Sequence, residues 1–125
     1  MSLKKLTTLL VVDRIEPCLS TWQALGYAKV MQVPETGAAG FAILAGPAGE
    51  LMLQTRESLA EDLPVVAALK PTHVLYADVP SLAEAKRALS GARVLVEQRT
   101  TFYGATESWL QLVGGTVLGL AEHKG

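Results

Sequence analysis

The stretch THVLYADVPSLAEAKRALSGARVLVEQ, residues 72–98, decides how the chain folds, because a strand, a helix and a second strand follow one another within it. Thr72 to Val79 reads as a strand, and Ser81 opens a helix that runs to Leu89 and stops at Gly91. Ser81 and Glu84 have the spacing of a capping box, in which each side chain satisfies an orphan backbone amide of the first turn. Arg93 to Gln98 then reads as the next strand. Downstream, Thr106 to Leu112 and Thr116 to Glu122 close as a hairpin through Gly114-Gly115.

The same order occurs upstream. Leu6 to Val12 is an extended, β-branched apolar run, and Pro17 suits the first turn of a helix over Glu16 to Leu25. Leu19, Trp22 and Leu25 recur at helical spacing, and Gly26 ends the run. Tyr27 to Val33 predicts a strand ending at Pro34. Phe41 to Leu44 and Glu50 to Gln54 predict a hairpin through the turn Gly46-Pro47-Ala48-Gly49. Arg56 to Leu69, limited by Pro64 and Pro71, reads as a linker with a short helical stretch. Both halves therefore run strand, helix, strand, hairpin, an internal repeat of architecture rather than of residue identity.

Composition narrows the function classes. At 125 residues, half of them hydrophobic and 18% charged, the chain has the make-up of one ordinary folded domain. The apolar runs are too short and too interrupted for a membrane-spanning helix, which needs about 20 residues. The start, Met1 to Lys5, leads to no small-residue cleavage site, so the expected location is cytoplasmic. A net charge of −1 with scattered basic residues offers no counterion-releasing surface, and nucleic acid is not an expected partner. Cys18 is the only cysteine and reads as a small residue packed on a helix. The glycines from Gly37 to Gly49 lie in strand turns without the Lys-Ser/Thr pair of a phosphate loop. No serine sits in a nucleophile elbow.

Several strings, in order, resemble the vicinal-oxygen-chelate superfamily of glyoxalases, bleomycin-resistance proteins and dioxygenases. Val11-Val12-Asp13 with a following helix and Leu25-Gly26-Tyr27 look like its first module, and Glu50-Leu51-Met52-Leu53 looks like its fourth strand. Val79-Pro80-Ser81-Leu82 resembles the start of its second module, and Arg99-Thr100-Thr101-Phe102-Tyr103-Gly104 with Glu107 resembles a loop of its bleomycin-resistance-like members. Near the end, Leu112-Val113-Gly114-Gly115 stands where the family usually has Asp-Pro-Asp-Gly. The resemblance implies an α+β fold in which two βαβββ modules form a curved mixed sheet around a cup-shaped site, with the helices on the outer face. It also implies a single domain over residues 1–125, with module one at about 4–56, a linker at about 57–71 and module two at about 72–123.

Metal-dependent members hold a divalent ion with His and Glu from the first, fourth, fifth and eighth strands. Here the matching positions fall on Leu6, Glu50, Val74 and Gly119, and only Glu50 can ligate. His73 neighbours Val74, but by strand parity it shares a face with Leu75, Ala77 and Val79 and reads as a strand-end residue. His123 reads as a solvated tail residue, and Glu122, which shares a face with Leu118 and Leu120, is expected to end at solvent. No metal site and no cofactor are therefore expected.

Parity from the same landmarks places Leu6, Thr8 and Leu10 toward the cup with Glu50, Met52 and Gln54, and likewise Val74, Tyr76 and Asp78, then Glu107, Trp109 and Gln111, with Tyr103 above. Apolar walls with aromatic faces and a few convergent polar groups describe a small-molecule pocket. Glu50, Asp78 and Glu107 are expected to favour positive charge. Trp109, Tyr76 and Met52 have an alternative as core or dimer-contact residues. The expected ligand-binding set is thus Glu50, Met52, Tyr76, Asp78, Tyr103, Glu107, Trp109 and Gln111. The expected function is metal-free binding of a small molecule, of the sequestration type, by a homodimer. The alternatives are a metal-dependent lyase, isomerase or dioxygenase using Glu50 with His73 or His123, and a dimeric interaction protein without pocket chemistry.

Overall fold

The structure is a computed structural model that describes residues 1–123. Its elements run β1 (Lys5–Val12), α1 (Glu16–Ala24), β2 (Ala28–Val33), β3 (Phe41–Gly46), β4 (Gly49–Thr55), α2 (Arg56–Asp62), α3 (Pro64–Ala67), β5 (His73–Asp78), α4 (Leu82–Ala88), β6 (Arg93–Thr100), β7 (Ala105–Gln111) and β8 (Val117–His123). The chain forms two compact units. One covers Thr8–His73, and the other joins Met1–Thr7 to the residues from Val74 onward.

In the first unit the strands lie in the order β2-β3-β4-β1, with β1 parallel to β4 and the other pairs antiparallel. In the second, β5-β8-β7-β6 repeats that scheme, with β5 parallel to β8. Each unit is thus one βαβββ module, as the α+β reading expects. The parallel pairs follow from the helical crossovers, whereas the β3–β4 and β7–β8 hairpins need only short turns.

The helices form where their ends can be satisfied. Gly26, at φ +93°, supplies the left-handed residue that ends α1. Glu16 at its start accepts the Ala39 amide at 2.8 Å, and this bond holds its carboxyl below the usual range. Ser81 caps α4 by accepting the Glu84 amide at 3.2 Å. A second first-turn donor, the Leu82 amide, goes to Glu122 Oε1 at 2.7 Å. Glu122 therefore does not end at solvent. Being on the face of Leu118 and Leu120, it meets the start of the helix that packs on them.

Residues 57–71 are not a bare linker. Thr55 caps α2 by accepting the Ser58 amide, Pro64 opens α3, and Leu59, Leu63 and Val66 are buried. Pro64 separates two short helices rather than ending helical structure.

Each unit has its own core. Under α1 lie Ile15, Ala42, Leu44, Leu51 and Leu53, joined by Leu10, Cys18, Leu19 and Trp22. Under α4 lie Ala77, Val79, Leu82, Ala85, Leu110, Leu118 and Leu120. Among the described residues no helix is long and apolar enough to cross a membrane.

Candidate functional site

The face of the second unit turned away from α4 carries its polar groups. Alternation along β5 puts Leu75, Ala77 and Val79 on the helix side, which leaves Tyr76 and Asp78 on the other. The register then fixes their neighbours: Tyr76 lies beside Gly119, Asp78 beside Ala121, Trp109 across from Gly119, and Glu107 across from both Ala121 and Arg99.

Glu107 is the hub. It is fully buried, yet four donors converge on it. Oε1 accepts Arg99 Nε at 2.9 Å and Trp109 Nε1 at 3.0 Å, while Oε2 accepts Tyr103 Oη at 2.9 Å and the Tyr76 hydroxyl. An ionised carboxylate has about four acceptor sites, so this one is saturated. Arg99 also supplies the countercharge that a buried carboxylate requires. Burial, reinforced by Glu107, pushes the Tyr76 hydroxyl far above the ordinary phenol range. Tyr103 is pushed up to about 12, again first by burial and then by the Glu107 charge. Both phenols therefore stay protonated at neutral pH.

Trp109 is positioned by what Gly119 lacks. A Cβ at Gly119 would fall 2.7 Å from the indole, so the ring lies directly over bare backbone. Tyr76 packs beside it, with ring centroids 5.9 Å apart. At the edge of this cluster His123 Nε2 meets Asp78 Oδ1 at 3.1 Å, and its ring faces Tyr103 at 6.5 Å. Phe102, packed edge-on against Tyr103, is 90% exposed.

Of the expected ligand-binding residues, Tyr76, Tyr103, Glu107 and Trp109 come together, with Asp78 close by. Gln111 is engaged elsewhere, accepting from Arg93 and donating to the Gly115 carbonyl. Glu50 and Met52 belong to the other unit, where Glu50 is exposed and Met52 buried. Two expectations need correction. Glu107 does not offer free negative charge, because Arg99 neutralises it, and Asp78 is engaged by His123. The β1 parity also shifts: Leu9 pairs with Met52 and Leu10 with Leu53, so Leu9 and Val11 share the face of Met52 and Gln54. Thr8 and Leu10 take the α1 side, and Leu6 has their parity. Arg99 and His123 were not in the expected set.

The family positions for a metal do not fit one. Val74 is apolar and buried, Gly119 is covered by indole, and parity puts Leu6 on the same side as Leu10. His73 is exposed and engages Thr72 Oγ1. Among the described residues no three His, Cys, Asp or Glu side chains are grouped to hold an ion.

Solved structures share this architecture across nearly the whole chain. A glyoxalase/bleomycin resistance protein/dioxygenase superfamily member from Vibrio splendidus 12B01 superposes with a TM-score of 0.71 at 14% identity, over 97% of this chain and 99% of that one. Methylmalonyl-CoA epimerase from Mycobacterium tuberculosis gives 0.69 at 20% identity, over 98% and 90%. A glyoxalase I mutant from Zea mays gives 0.61 at 15% identity, over 95% of this chain and 42% of that longer one. No protein-family model matches the sequence, and no curated protein matches it.

Proposed function

Starting from a chain that has the fold of the glyoxalase, bleomycin-resistance and dioxygenase superfamily, we propose that it is a metal-free small-molecule-binding protein of the sequestration type. The observation that carries this reading is the saturated Glu107. A carboxylate with four donors in place has no lone pair left for a metal and none left to take a proton from a substrate. The phenols beside it are held protonated, so neither acts as a general base. What the cluster can do is hold rings still. Tyr76, Tyr103 and Trp109 are anchored through their polar atoms, and a preorganised aromatic surface binds planar molecules at low entropic cost.

The ligand-facing residues in this reading are Tyr76, Asp78, Tyr103 and His123, with Phe102 at the rim. The working form is a homodimer, which the exposed apolar side chains of edge strand β2 support: Val30, Met31 and Val33.

Metal analysis of protein purified without chelator tests the first part. Stoichiometric Ni, Zn, Mn or Fe, lost in Glu50→Ala, would overturn it in favour of the metal-dependent enzyme. Binding is read from Trp109 fluorescence in a Trp22→Phe background. A flat response across a panel of planar aromatic compounds would leave only an interaction role. Light scattering is expected to give twice the 13.3 kDa chain mass.

A further inference from the structure

A carboxylate can accept hydrogen bonds but cannot donate them. Every side chain aimed at Glu107 must therefore be spending a proton there: Tyr76 Oη and Tyr103 Oη on Oε2, Arg99 Nε and Trp109 Nε1 on Oε1. The same holds at Asp78, whose Oδ1 meets His123 Nε2, so that nitrogen carries the proton. A phenolic oxygen has one proton and two lone pairs. With those protons committed inward, what Tyr76 and Tyr103 still have to offer a ligand is acceptance. Asp78 adds carboxylate oxygen to the same set.

We infer that this face is an array of hydrogen-bond acceptors that selects planar ligands carrying N–H or O–H donors, such as aromatic amines and aryl guanidines, over ligands whose polar atoms are only acceptors. The inference rests on the reading of this face as a ligand-binding surface. It changes the basis of selection. The preference comes from where the protons already are, since Arg99 cancels the charge of Glu107. The raised phenol pKa values agree with it, because neither hydroxyl releases its proton near neutrality. An acceptor-only ligand would set lone pair against lone pair, and a site with unmatched polar groups rejects such an analogue more strongly than it rejects a change of size.

Isothermal titration calorimetry on the full chain with two matched pairs of probes tests this: aniline against nitrobenzene, both uncharged, and phenylguanidine against benzoate. The donor of each pair is expected to bind at least tenfold tighter. In the Tyr76→Phe, Tyr103→Phe double variant the aniline preference should fall to within about threefold. Asp78→Asn, which turns one acceptor oxygen into a donor and leaves Glu107 untouched, should reduce it several-fold and serves if the double variant does not fold. Nitrobenzene binding as tightly as aniline, or a preference unchanged in the variants, would overturn the inference while leaving the binding reading intact. Binding of none of the four probes would instead overturn the binding reading, and the inference with it.

Discussion

The two units use one topology for opposite ends. In Thr8–His73, the sheet face away from α1 carries Leu9, Val11, Met52 and Gln54, and the chain adds two helices after β4. Gln54 donates to Ser58 of α2, and Leu59 shares a cleft with Val11, so α2 lies against that face. From Val74 onward the corresponding face carries Tyr76, Glu107 and Trp109, tied together by hydrogen bonds. A βαβββ module is therefore neutral about what its second face does. Side chains alternate between faces, so the face toward the helix can remain a standard apolar core while the other side is rebuilt. One unit closes that side with apolar packing and the other fills it with a polar hub.

Emptying the hub is expected to have the greatest effect on stability. Glu107→Ala removes the acceptor that Arg99, Trp109, Tyr76 and Tyr103 share. It is expected to cost about 3–5 kcal/mol, read from urea unfolding. Leu59→Ala is the matching test in the other unit, where the loss should follow cavity formation at about 2–5 kcal/mol. If Glu107→Ala cost less than 1 kcal/mol, the hub would not be the structural counterpart of an apolar face.

Gly119→Ala drives a methyl into the Trp109 indole and should cost about 1–3 kcal/mol. Trp109→Leu in the same chain should recover part of that loss. Additive losses in the double-mutant cycle would mean that the ring does not rest on Gly119.

The smallest expected effect is a pH dependence. A phenol with a raised folded-state pKa keeps its proton when the unfolded chain would release it, so it stabilises fully below about pH 10, and that stability is lost as pH rises through the folded value. The melting temperature should therefore decline from about pH 10 upward, less steeply in Tyr103→Phe, whose group sits at about 12. An identical alkaline slope in that variant would remove Tyr103 from the hub.

Much of this arrangement was legible in the sequence. Strand, helix and hairpin order followed from β-branched runs, Pro17, the Ser81 cap and the glycine stops, all of which act locally. Parity within a strand put Tyr76 with Asp78 on β5 and Glu107 with Trp109 on β7, and the landmarks of the family resemblance set those two faces together. Parity between strands depends on how they pair, and β1 was misassigned by one residue. Arg99 was hidden for another reason: the strand reads as ending at Gln98 and Arg99 as part of the loop, whereas β6 runs on to Thr100 and sets Arg99 directly across from Glu107. His123 and Glu122 looked like a tail because their partners, Asp78 and the Leu82 amide, are 45 and 40 residues away.

Those last two contacts bear on synthesis. On the ribosome α4 emerges long before residue 122, so through that interval the helix lacks the side chain that satisfies its Leu82 amide. Lys4 waits as well, since its amide donates to the Asp78 carbonyl. The second unit is thus completed only once the segment through Thr7 and the strand that carries Glu122 are both in place. The first unit has its last residue, His73, in hand while translation is still under way.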